Sequence, residues 1–118
     1  MFSSFHGEQF QVEFKGSGIY ALTGVWVDNH VQSLSVFFEE LASFPEPWQG
    51  VRQWESLEGE FSISATCATL GQVDFSIEIR HYAGRTEAWL VQGSLITELG
   101  QLAKIARDAK SFFQKESA

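Results

Sequence analysis

Residues 60–80 carry the pattern that most restricts what this chain can fold into. Phe61, Ile63, Ala65 and Cys67 alternate with Glu60, Ser62, Ser64 and Thr66. Beyond a turn near Gly71, Val73, Phe75, Ile77 and Ile79 alternate with Gln72, Asp74, Ser76, Glu78 and Arg80. A strand turns successive side chains to opposite faces, so this period of two predicts an antiparallel pair with one face on a core and the other in water. Charge selects the register. With Ala65 opposite Phe75, Glu60 faces Arg80; a slip of two sets Glu60 against Glu78, which is repulsive.

The remaining elements fall around this pair. Phe10, Val12 and Phe14 alternate with polar neighbours, and Gly16-Ser17-Gly18 turns the chain into residues 19–27, apolar on both parities. This reads as a hairpin whose second strand is the more central one. Asn29 followed by Gln32 resembles a capping box, and Leu34, Phe37, Phe38 and Leu41 then follow helical spacing until Pro45 and Pro47. Ala83-Gly84-Arg85 makes a turn before a strand over residues 86–96 that carries Trp89. A last helix over about residues 98–114 lines up Leu99, Leu102, Ala106, Ala109 and Phe113. The order is ββ-α-ββββ-α. It predicts one α+β domain over residues 1–118, a two-layer sandwich with two helices on one face of an antiparallel sheet of five to six strands.

A chain of 118 residues can bury a core without staples, and eleven phenylalanines supply bulk for it. One cysteine, Cys67, excludes an internal disulfide and a zinc ribbon, and its parity places it on the buried face. No run reaches the roughly 20 apolar residues of a membrane span, and no secretory signal is visible. A cytoplasmic location is expected. The net charge of −7 argues against a nucleic-acid partner. Seven acids against Arg52 alone lie in residues 28–60, whereas residues 99–118 are net basic. That acidic middle suits a basic protein partner, although a solvated face that keeps the protein soluble is the simpler reading.

The constellations that would carry chemistry are absent or out of context. Gly16-Ser17-Gly18-Ile19-Tyr20-Ala21 matches a dinucleotide fingerprint only formally, because strand-like residues follow where a helix N-terminus is needed. His6, His30 and His81 share no metal-ligand spacing. Glu58 and Glu60, or Asp74 and Glu78, share exposed strand faces without the desolvated pocket that tunes a general acid. No catalytic residue, cofactor or metal ligand is expected, and the chain does not read as an enzyme.

What remains is the segment from Trp48 to Leu57, with two of the four tryptophans around Gly50 and Arg52. Indole and guanidinium groups are enriched where proteins bind, and they also cap open ends of cores. Trp48, Arg52, Trp54, Glu55 and Glu58 form the candidate interaction surface, with Trp54 the more structural indole and Trp48 the more open to solvent. The ordered set Trp48-x-Gly50-x-Arg52-x-Trp54-x-Ser56-Leu57-x-Gly59, followed by Gly71-x-Val73, Arg80 and Trp89, resembles a family of small bacterial domains of unassigned function. In build it is similar to toxin-immunity proteins. That resemblance implies no activity or ligand, but it implies work by binding. The expected function is a non-enzymatic binding protein that occludes a partner, for example a basic toxin or enzyme. The alternative is a small-molecule sensor with an aromatic pocket between helices and sheet. A homodimer through residues 19–27 is compatible with either.

Overall fold

A computed structural model describes residues 2–6, 9–26, 31–56, 59–83 and 87–115. The strands are β1 (Phe2–His6), β2 (Gln9–Gly16), β3 (Ile19–Trp26), β4 (Arg52–Glu55), β5 (Phe61–Cys67), β6 (Gln72–Ala83) and β7 (Glu87–Glu98). Helix α1 (Val31–Ala42) separates β3 from β4, and a 3-10 turn (Leu99–Gln101) leads from β7 into α2 (Leu102–Lys115). The fold is α+β, as the sequence predicts. The strands form two antiparallel sheets, β1-β2-β3 and β4-β5-β6-β7, and not one sheet of five to six strands. The physical reason is that alternation specifies which face of a strand is buried without specifying its lateral neighbour.

The β5–β6 register is the one charge selects. Ala65 lies opposite Phe75, and the Arg80 N–H donates to the Glu60 carbonyl at 2.7 Å. The side chains settle differently from the simple cross-strand pair. Glu60 is buried and accepts from the Ser56 hydroxyl at 2.9 Å, while the Arg80 guanidinium lies 3.7 Å from Glu78.

The N-terminal sheet corrects two expectations. Phe2–His6 is a strand that no periodicity announces, and it makes β2 the central strand and β3 an edge. Of the apolar run in β3, Ala21 and Val25 are buried together with Thr23, whereas Ile19 and Tyr20 are exposed. Tyr20 instead donates its hydroxyl to Glu13 at 3.0 Å. That bond, with Lys15 beside it, holds the Glu13 carboxyl below its ordinary range, and the same bond raises the Tyr20 phenol.

Both helices and the N-terminal sheet bury their apolar sides on the inner face of the four-stranded sheet. Helix α1 presents Leu34, Phe37, Phe38 and Leu41, all buried, and the Phe38 ring meets Phe75 of β6 at 6.2 Å. Helix α2 buries Leu102, Ala106 and Ala109. The two sheets meet where the Phe14 ring covers Gly93 so closely that a Cβ there would collide with it, and where Thr23 Oγ1 and His81 Nδ1 lie 3.3 Å apart. Phe2 joins the layers, with its ring centroid within 6.4 Å of those of Phe10, Phe38, Phe61 and Phe112. Asn29 and the turn at residues 84–86 lie outside the described residues.

Candidate functional site

The tryptophan segment is built as a buttress. After Pro45 and Pro47 the chain drops Trp48 into the core, 5% exposed, where its indole N–H reaches the Ala65 carbonyl at 3.4 Å. The solvent exposure expected for Trp48 is therefore not found: the indole covers the end of β5. Phe44, just past the end of α1, packs on it with centroids 5.3 Å apart, and the Arg52 guanidinium lies 5.2 Å from the Phe44 ring centroid. Trp54 is 8% exposed and packs against Phe61 at 6.0 Å. Burial of two indoles contributes on the order of 25 cal/mol per Å² removed from water, so this segment locks α1 onto β4 and β5.

The spacing of the segment has a local explanation. Gly50 (φ 82°) and Gly59 (φ 79°) occupy the left-handed region that glycine enters without steric cost. Between them β4 pairs with β5, so Arg52 and Trp54 share the face of Ala65 and Ile63. Ser56 then closes the turn. Its N–H donates to the Phe61 carbonyl at 2.8 Å, its hydroxyl accepts from the Phe61 N–H at 3.1 Å, and its carbonyl accepts from the Gly59 N–H at 3.0 Å. Of the expected interaction surface, Arg52 and Glu55 are exposed, the two tryptophans are core, and Glu58 lies outside the described residues.

A different place offers room for a ligand. Between α1, α2 and the inner face of the four-stranded sheet lies a pocket of about 570 Å³. Phe2, Phe38, Phe75 and Phe112 contribute aromatic wall; Ile63, Ile77, Leu95 and Ile105 contribute aliphatic wall. It is a cleft open to solvent and not an enclosed void, and its lining is predominantly apolar. Leu95, opposite Phe75 on the inner face, lines it and is 42% exposed, which gives it an opening at β7. Asp108 supplies a carboxylate in the lining, 3.3 Å from Lys104 one turn earlier on α2. An aromatic pocket between helices and sheet is the alternative expected from the sequence, but none of these lining residues is singled out for it there. The available signal was Ile105 and Phe112, seven residues apart on α2, which widen its apolar stripe toward the sheet.

The opposite face of the four-stranded sheet is polar. Ser62, Ser64, Ser76 and Ser94 stand there with Gln53, Gln92, Glu55 and Glu78 around a shallow depression of about 560 Å³. Ser62 and Gln92 both donate to the Glu78 carboxylate. His81 stacks on Trp89 with centroids 5.2 Å apart, and the side chains of His6 and His30 lie outside the described residues. Among the described residues no three His, Cys, Asp or Glu side chains gather as a metal site, and no helix is long and apolar enough to cross a membrane. Cys67 is a free thiol, half-buried at the end of β5.

Residues 2–116, nearly the entire chain, match a family of unknown function, DUF6228. The chain belongs to the DUF6228 family. No curated protein and no solved structure matches it. Among the described residues of this DUF6228 member, the pocket is an apolar space, whereas the two tryptophans of the motif are core.

Proposed function

We propose that this protein is a non-enzymatic binding protein that holds an apolar or amphiphilic small molecule in the pocket between α1, α2 and the four-stranded sheet. The observation that carries this reading is the pocket itself, about 570 Å³ and walled by four phenylalanines. Small-molecule sites are typically apolar clefts of about 300–1,000 Å³ with a few placed polar groups. Asp108 supplies one such group, suited to a ligand with a single hydroxyl or amine at the end of an apolar body. The test is a thermal-shift series with medium-chain alcohols, amines and carboxylic acids, since a ligand that binds only the folded state raises Tm in a saturable way. Ala109→Phe fills the pocket from α2 and should abolish the shift while the far-UV spectrum stays native. Absence of a saturable shift across the series, or an equal shift in the filled variant, overturns the proposal.

A second reading, contact with a basic protein such as a toxin, is supported by the exposure of Glu39, Glu40, Glu46 and Glu55. Charges of one sign on a surface raise association rates and make them salt-dependent. Capture of the product of a neighbouring gene that is lost on Glu55→Lys with Glu46→Lys would favour it, and capture indifferent to both changes and to salt would sink it.

A further inference from the structure

Strand β7 is twelve residues long and, among the described residues, pairs with β6 alone. The Leu99 N–H donates to the Gly71 carbonyl at 2.8 Å, and the β6–β7 register continues without a shift to Ala83 opposite Glu87. In an antiparallel ladder bonded and non-bonded residues alternate, so odd-numbered residues of β7 bond to β6 and even-numbered ones face outward. Leu90, Gln92, Ser94 and Ile96 therefore present their N–H and C=O groups along an open edge. Folded proteins normally blunt such an edge with lysine, proline or a bulge. Residues 88–97 contain no charge and no proline, and the ladder has no bulge. Instead the strand exposes Leu90 at 47%, Leu95 at 42% and Ile96 at 66%.

These apolar residues are placed symmetrically about Gly93, and that decides the occupant. We propose that two copies of this chain pair antiparallel through β7, about a two-fold axis at Gly93, joining their four-stranded sheets into one. In this register Leu90 faces Ile96 of the second copy on the outer side, and Val91 faces Leu95 on the inner side. Gln92 and Ser94 exchange main-chain bonds, and Glu98 faces Ala88 and not another glutamate. Neighbouring registers lose this match. Centred on Gln92, Leu90 meets Ser94 and Ile96 meets Ala88; centred on Ser94, Leu90 meets Glu98 and Ile96 meets Gln92. Gly93 on the axis sits in a non-bonded pair, where backbones come within about 4.5 Å. Its inner side is already filled by Phe14 of the same chain. The partner this surface fits is its own copy.

Sedimentation equilibrium of the full chain tests this. The wild type should sediment at twice its 13.3 kDa mass in the micromolar range. Ser94→Pro removes an outward N–H without touching the β6 ladder, and Leu90→Lys with Ile96→Lys places like charges on the joined face. Both variants should keep the wild-type far-UV spectrum and sediment at the single-chain mass. In a Cys67→Ser background, Gln92→Cys with Ser94→Cys should cross-link into covalent dimers under mild oxidation, because bonded antiparallel pairs lie about 5.5 Å apart at Cα, within disulfide reach. A monomeric wild type overturns the proposal, as does a dimer that survives both sets of substitutions. So does cross-linking no faster than that of Glu40→Cys on α1. Protection of the β7 amides only on addition of a different protein would assign the edge to that protein instead.

Discussion

Ser56 uses its hydroxyl twice, donating to the Glu60 carboxylate at 2.9 Å and accepting from the Phe61 N–H at 3.1 Å, and all three residues are buried. Removing that hydroxyl withdraws a donor from a carboxylate away from water and an acceptor from a buried amide. Such losses typically cost about 1–3 kcal/mol. Ser56→Ala should lower the urea midpoint accordingly with an unchanged slope, and Ser56→Thr should recover most of it. An alanine variant with the wild-type midpoint would show that the main-chain bonds of the turn suffice alone. The same residue shows how far the sequence could be read. The Ser56-Leu57-x-Gly59 spacing is visible in the sequence, but its meaning depends on Gly59 taking a positive φ and on Glu60 turning inward. Parity with Ser62 and Ser64 places Glu60 in water. Its position at the start of β5, beside the turn, overrides that parity, and the sequence pattern carries no sign of it.

At the level of elements, helix α2 separates contacts that hold the fold from contacts that merely decorate it. Leu102 is 1% exposed against the core, whereas Lys110 reaches Glu39 of α1 across 3.8 Å with both side chains about half exposed. Solvated ion pairs are screened and lose side-chain entropy, so Lys110→Ala should change stability by no more than about 0.5 kcal/mol. Leu102→Ala removes buried methyl groups and leaves a cavity, at a cost of about 2–5 kcal/mol. Chemical denaturation of the two variants checks the contrast; comparable losses would mean that the helices are held by charge. Elements with strict period, β5, β6 and the two helices, were legible because one face of each is wet. Strand β1 was not, because Phe2-Ser3-Ser4-Phe5 fits no period of two. Nothing in the linear pattern marks Leu90 and Ile96 of β7 as exposed, and the strand order shows that they lie on an edge strand.

For the molecule as a whole, the question is whether two sheets with no shared ladder fold as one unit. Their junction lies in side chains: Phe14 over Gly93, Thr23 beside His81, and above all Phe2, whose ring meets Phe61 of the other sheet and Phe38 and Phe112 of both helices. Because these contacts converge on one core, loss of any layer uncovers the apolar side of the others, and unfolding should be all-or-none. Phe2→Ala removes the ring common to three of these contacts. As Phe2 is partly and not fully buried, the cost should lie near the low end for phenylalanine truncation, about 3 kcal/mol. In a Trp26→Phe background, Trp48, Trp54 and Trp89 report on the four-stranded sheet and its packing, while far-UV dichroism reports on all elements. The Phe2→Ala midpoint should fall equally by both probes. If fluorescence keeps the wild-type midpoint while dichroism loses amplitude earlier, the N-terminal sheet is a separable unit. The pocket, whose wall includes Phe2, would then lose one side without the four-stranded sheet unfolding. A single shifted transition instead ties the pocket's shape to global stability, so that any ligand bound there stabilises the entire fold.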